Sequence, residues 1–168
     1  PIAERTVHAI PYTDIEVSLG VPWISPAIIN DFLYHILNKN YLYWPEGNVI
    51  NYVDYEEVTG CWQISQKRYL GQNNTNAEVK FGLKRYNALF ILEATLNLRE
   101  IKLYDKGNIY NEKDTMAAIE KQKLINEEFK NWIWQDEDRR WMVEDAYNKI
   151  FSKYEKTIYD GSALKFPN

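Results

Sequence analysis

The sequence predicts an α+β fold, in which a small antiparallel sheet packs with helices and a C-terminal antiparallel helical hairpin follows. Apolar residues recur at helical spacing near the N-terminus, alternate as in strands in the middle, and return to helical spacing over the last third. The 168 residues fit a single domain. We expect about 1–110 to form its α+β part, about 111–156 the hairpin and 157–168 a tail.

The first part of the chain carries two helix-start signals. Thr13 and Glu16 have the spacing of a capping box, which predicts a short helix that ends at Gly20. Ser25-Pro26 is the second signal, and it predicts a helix that runs to about Asn38. The apolar stripe of this second helix consists of Ile28, Ile29, Phe32, Leu33, Ile36 and Leu37.

In the middle of the chain the alternation of apolar and polar residues predicts strands. We expect a β-hairpin from roughly 48–55 and 59–67, with its turn near 56–60. The segment 72–76 is predicted to be a polar, turn-rich tip, and 78–81 a further strand.

Helices dominate the pattern from residue 84 onward. The stretch 84–96 predicts a helix, and 101–104 predicts a strand followed by a turn at 106–108. Asn111 and Asp136 are expected to cap two long helices, which together form the predicted hairpin.

Composition and charge exclude several classes of protein. No apolar run approaches the length of a membrane span, so no membrane partner is expected. Cys61 is the only cysteine, which excludes an internal disulfide and fits a cytoplasmic location. The formal net charge of −4 argues against binding nucleic acid through bulk electrostatics, although a local basic face remains possible.

Sequence motifs for DNA methylation, methyl-donor binding and ATP binding are absent. There is no Asn/Asp-Pro-Pro-aromatic motif for adenine methylation, no glycine-rich turn for a methyl donor and no phosphate-binding loop for ATP. His8 and His35 have no ligand partners at metal-binding spacing, and Cys61 is expected to be a small buried side chain. We therefore predict no catalytic residue, no metal and no cofactor in this segment.

Basic pairs and aromatic residues are the remaining candidates for a binding site. Lys84, Arg85, Arg139 and Arg140 could contact phosphates, and Trp134 could stack on a base. The alternative is that these residues form solvated helix ends and faces, balanced by neighbouring acids. Further candidates are the pair Lys67-Arg68, the lysines Lys153 and Lys156, and the aromatic residues Tyr43 and Trp44.

The second half of the chain carries an ordered set of motifs at 89–99, 120–123, 129–133, 138–140 and 159–167. In this order they resemble a segment of the helicase-methylase proteins of phages, plasmids and conjugative elements. Those proteins look like an adenine-specific DNA methyltransferase joined to a Swi/Snf-like helicase. The similar segment lies between these two parts, and the region 40–76 departs from the family pattern.

The resemblance implies a non-catalytic, DNA-engaging accessory domain that acts beside the flanking methyltransferase and helicase domains. ATP and S-adenosylmethionine are implied only for the parent protein. Because the family continues into the helicase motor where this chain stops, an excised domain is expected. The alternative function is a structural connector or protein-interaction module that docks the two flanking domains.

Overall fold

The computed structural model describes residues 9–162, with side chains for residues 9–151. It is a mixture of helices and short antiparallel strands, which confirms the predicted α+β class. The elements in chain order are α1 (Pro26–Leu37), β1 (Val53–Glu56), β2 (Cys61–Ile64), α2 (Lys67–Gly71), α3 (Ala88–Leu96), β3 (Tyr104–Asp105), β4 (Ile109–Tyr110), α4 (Glu112–Trp132) and α5 (Glu137–Ser162).

The chain divides into two compact units. The larger unit is Ser18–Trp132, and the smaller unit combines Pro1–Val17 with Ile133–Asn168. Helices α4 and α5 therefore belong to different units, so the antiparallel hairpin and the single-domain organisation stay predictions.

Helix α1 is confirmed close to its predicted bounds. The Ser25 hydroxyl accepts a hydrogen bond from the Ala27 amide, and Pro26 occupies the first turn, where a missing N–H costs nothing. The helix ends at Asn38, which adopts the left-handed conformation. Phe32 lies fully buried on this helix, with its ring centroid 5.0 Å from Phe129 and 5.2 Å from Trp132 of α4.

The predicted β-hairpin is confirmed, although its strands are shorter than expected. β1 and β2 pair antiparallel, with Val53 opposite Ile64 and Glu56 opposite Cys61. The outer edge of β2 pairs with side chains of α3 instead of a third strand. Asn97 and Glu93 accept the amide hydrogens of Trp62 and Ile64, both at 2.8 Å. These bonds satisfy backbone groups that an open sheet edge would leave to water.

Two predicted elements before and after this hairpin are wrong. The capping-box segment forms only a single 3₁₀ turn, Tyr12–Asp14, and then extends. The segment 78–81 is not a strand, since Asn76–Lys80 forms a π-helical turn. Tertiary bonds explain this turn, because the Asn74 and Asn76 amides donate to the carbonyls of Leu37 and Ile36 at the end of α1. The predicted tip 72–76 is thus tied to α1.

The helices of the second half begin at clear caps. α3 starts at Ala88, four residues later than predicted, because the Asn87 side chain accepts the Leu89 amide. The predicted caps of α4 and α5 are confirmed. The Asn111 side chain accepts the Asp114 amide at 2.8 Å, and the Asp136 carboxylate accepts the Arg139 amide at 2.8 Å.

In the smaller unit, α5 holds the N-terminal segment by polar bonds. The Asn148 side chain accepts a hydrogen bond from the Ile10 backbone N–H and donates one to the Ile10 carbonyl, each at 2.9 Å. The Glu144 carboxylate accepts the Tyr12 backbone N–H at 2.9 Å. The predicted tail at 157–168 begins within a helix, because α5 continues to Ser162. Of the helices that the structure describes, none is both long and apolar enough to span a membrane.

Candidate nucleic-acid interface

Arg85, a predicted phosphate ligand, is already bound by acidic side chains of its own unit. Its Nη1 lies 2.7 Å from Asp105 Oδ1 and 3.0 Å from Asp114 Oδ2, while Nη2 donates to the Tyr104 carbonyl. Asn111 donates to the same two carboxylates. The guanidinium therefore ties the β3–β4 turn to the start of α4, and a phosphate would have to displace both acids.

The pKa of Asp105 reflects its hydrogen bonds to Asn111 and Arg85. Hydrogen bonds from Asn111 and then from Arg85 lower the pKa of Asp105 below its ordinary value of 3.8. A carboxyl group with a lowered pKa contributes stability above its ordinary pKa and loses it as the pH falls through the folded value. The hydrogen bonds to Asp105 and Asp114 correspondingly raise the pKa of Arg85.

We expect Arg85→Ala to raise the pKa of Asp105 part of the way towards 3.8, because Asn111 still donates to it. Carboxyl-carbon NMR titration measures this shift directly. Lys106→Ala serves as a control, since it removes a neighbouring positive charge that makes no bond to Asp105 in the described structure. An unchanged Asp105 titration in Arg85→Ala would show that the guanidinium is not engaged by this carboxylate.

The other predicted site residues fall into both units. Lys84 is exposed in the larger unit and makes no side-chain hydrogen bond or ion pair with any described residue. Trp134, Arg139 and Arg140 belong to the smaller unit. The structure thus brings the last three together but does not join them with Lys84 and Arg85 in one compact unit.

Trp134 and Arg140 pack around Tyr12 of the N-terminal segment. The Trp134 and Tyr12 ring centroids are 5.4 Å apart, and the Arg140 guanidinium carbon lies 5.0 Å from the Tyr12 centroid. Arg140 Nη1 also donates to the Tyr12 hydroxyl at 3.2 Å, and Arg139 Nε donates to the Ile133 carbonyl. The contacts of Trp134 and Arg140 hold Tyr12 near the start of α5. The Arg139 bond ties α5 to the residues just before it, so these side chains have structural roles.

A basic and aromatic surface forms instead in the larger unit, and we call Arg68, Tyr86, Phe90 and Arg99 the Arg68–Arg99 surface. The Arg68 guanidinium carbon lies 6.0 Å from the Phe90 ring centroid, which is 5.5 Å from the Tyr86 centroid. Arg99 lines a pocket with Lys67 and Glu93 in the same unit, and its positive charge opposes the rise that burial causes in the pKa of Tyr86. Both arginines are exposed.

Neither Arg68 nor Arg99 makes a side-chain hydrogen bond or ion pair with any residue that the structure describes. The Arg68 guanidinium lies near the Phe90 ring, and its N–H groups remain available for an acceptor such as phosphate. The nearby carboxylate of Glu93 is paired with Lys67, whose Nζ lies 2.9 Å from it and also donates to the Ile64 carbonyl. The surface therefore carries two positive charges that its own neighbours leave available.

Sequence reasoning found only part of this surface. Lys67-Arg68 was a candidate basic pair, and Arg99 closes the motif 89–99, but Arg68 and Phe90 are too far apart in sequence to indicate contact. Their contact depends on α2 packing against α3.

The two described residues considered for metal or thiol chemistry, His35 and Cys61, do not belong to a metal-binding group of the described residues. His35 Nε2 lies 3.5 Å from Glu128 Oε1, and its ring lies beside the rings of Phe32 and Trp132. Cys61 is exposed, contrary to the prediction, because β2 turns Trp62 and Ile64 inward and Cys61 outward. Within residues 9–151, no group of three or more His, Cys, Asp or Glu residues could hold a metal ion.

Comparison with protein families places the chain in one of them. Residues 18–153 match the model of DUF8437, a domain of unknown function, and the chain belongs to this family. The match spans the whole larger unit and reaches far into α5. No curated protein and no solved structure matches the chain.

Proposed function

We propose that this chain is a non-catalytic accessory domain that engages duplex DNA within a helicase-methylase protein of a mobile element. The Arg68–Arg99 surface carries the proposal, because its two arginines stand free of protein acceptors in the described part of the chain. The ordered motifs at 89–99, 120–123, 129–133, 138–140 and 159–167 support the choice of parent protein. The cytoplasm is where such a protein meets its DNA.

The charge balance restricts how such a domain can bind. With a net charge of −4 the chain as a whole repels a polyanion, so attraction has to come from a local site. Arg68 and Arg99 can each form charge-assisted hydrogen bonds to phosphate oxygens, and such contacts do not depend on the base sequence. The domain therefore holds or orients DNA for its neighbours without reading a sequence, and ATP and S-adenosylmethionine serve the flanking domains.

The double variant Arg68→Ala/Arg99→Ala tests this proposal. At low salt we expect its affinity for a fluorescently labelled duplex to fall by roughly tenfold or more, because two charge-assisted bonds are lost. Fluorescence anisotropy measures the affinity, and circular dichroism checks that the fold is retained. Arg68→Lys should keep part of the binding, since it preserves the charge but not the planar guanidinium that can bond two phosphate oxygens.

Lys106→Ala/Lys113→Ala is the matched control. These lysines are exposed outside the Arg68–Arg99 surface, and the double change removes the same charge. If both double variants lose affinity equally, the binding is non-specific electrostatics and the proposed surface is wrong. If the wild-type chain does not bind duplex DNA at low salt, the alternative function as a connector between the flanking domains is favoured.

A further inference from the structure

A second surface of the larger unit combines an exposed ring with side-chain amides that bond no described residue. It is an open cleft between the end of α1 and the region of α2, and none of its lining residues carries a carboxylate. We call it the amide cleft, and its principal lining residues are Lys39, Asn40, Leu42, Tyr69, Gln72 and Asn73.

Leu42, which lines the amide cleft, begins a narrow hairpin at 42–50. The Ile50 amide donates to the Leu42 carbonyl at 2.7 Å, and the Trp44 amide donates to the Asn48 carbonyl at 2.8 Å. Tyr34 of α1 anchors both arms, because its hydroxyl donates to the Ile50 carbonyl and accepts the Leu42 amide. Leu42 is therefore attached to α1 at the edge of the cleft.

The one aromatic ring among the described residues that line this cleft is exposed beyond what packing requires. Tyr69 is 71% exposed. A large exposed tyrosine ring can stack on a planar ligand and has only two side-chain torsions to fix, so stacking costs little side-chain entropy.

Polar groups of the cleft remain available for hydrogen bonds. The side-chain amides of Asn40, Gln72 and Asn73 bond no described residue, whereas Asn74 in the same run binds the end of α1. The Lys39 ammonium donates to the Leu70 carbonyl at 3.1 Å and retains two further hydrogens. Planar amides present a donor and an acceptor side by side, which matches the edge of a nucleobase.

We propose that the amide cleft binds an unpaired nucleobase of single-stranded DNA. Tyr69 stacks on the base, the amides bond its edge, and Lys39 faces the adjoining phosphate. A paired base could not enter, because its faces are stacked and its edge is bonded within the duplex. The inference rests on the proposed function for the choice of DNA, but it concerns different residues and a different form of DNA.

Three labelled probes test the inference on the full chain: a single strand of roughly ten thymidines, an abasic strand of the same length, and a duplex. We expect the wild type to bind the thymidine strand more tightly than the abasic strand. Tyr69→Ala should weaken thymidine binding by roughly tenfold and leave abasic binding unchanged, since one stacking contact is lost. Tyr69→Phe should retain binding, and Tyr110→Ala is the control for removing an exposed tyrosine elsewhere.

The outcomes separate this inference from the proposed function. Equal binding of the thymidine and abasic strands, or an unchanged affinity in Tyr69→Ala, overturns the amide cleft as a base site. The duplex result with Arg68→Ala/Arg99→Ala judges the Arg68–Arg99 surface independently. Loss of thymidine binding in Tyr69→Ala with unchanged duplex binding supports the cleft.

Discussion

Replacing Gly82 with alanine should destabilise the larger unit by about 3 kcal/mol or more. A Cβ atom at this position would overlap the Ala77 carbonyl oxygen and the Ala88 amide nitrogen. Both are backbone atoms: Ala77 belongs to the π-helical turn, and Ala88 is the first residue of α3. No side-chain rotation can therefore relieve the overlap. Chemical denaturation monitored by tryptophan fluorescence measures the loss.

Gly47→Ala is the control for this substitution. Gly47 has a φ of +89°, but no described atom lies within 4 Å of the added Cβ, so only the conformational cost of roughly 1–2 kcal/mol applies. The expected order of stability is therefore wild type, Gly47→Ala, Gly82→Ala. A Gly82→Ala variant as stable as Gly47→Ala would contradict the close packing of the π-helical turn on α3.

Asn97→Ala should destabilise the larger unit by about 3 kcal/mol. The Asn97 side chain accepts the Trp62 amide at 2.8 Å and donates to the Trp62 carbonyl at 2.9 Å, as a neighbouring strand would. Alanine leaves both backbone groups of the fully buried Trp62 without these partners. Equilibrium denaturation gives the change in the free energy of unfolding.

Gln63→Ala provides the comparison for Asn97→Ala. Gln63 is an exposed neighbour in β2 whose side chain makes no hydrogen bond to a described residue. Its replacement should change stability by less than about 0.5 kcal/mol. Equal effects of the two substitutions would show that the edge of β2 does not depend on the Asn97 side chain.

Local sequence signals predicted the regular elements well. The stripe on α1, the alternation around Trp62 and the caps at Asn111 and Asp136 depend on neighbours within one or two turns. The structure confirms all four.

The errors arise where distant residues determine the conformation. Thr13 and Glu16 fit a capping box, but the chain extends, with Ile15, Val17 and Leu19 buried in alternation with exposed residues. Alternating burial is the pattern of extended chain, and here it outweighs the capping signal. At 76–80, amide bonds to α1 likewise replace the predicted strand with a π-helical turn.

The charged residues of the candidate interface show the same dependence on distant contacts. Charge pairs in the sequence indicated Arg85 and Arg140, yet Asp105 and Tyr12, distant in sequence, engage them. The sequence shows which residues are charged, whereas the packing of distant segments determines which charged side chains remain without an acidic partner. Arg68 and Arg99 remain free because α2 and the end of α3 place no described carboxylate in contact with them.

The salt dependence of duplex binding tests the central claim most directly. We expect the logarithm of the wild-type association constant to fall linearly with the logarithm of the salt concentration. In Arg68→Ala/Arg99→Ala the slope should be smaller in magnitude by about two, one for each lost phosphate contact. An identical slope in the wild type and this variant would contradict the claim that Arg68 and Arg99 bind the DNA backbone.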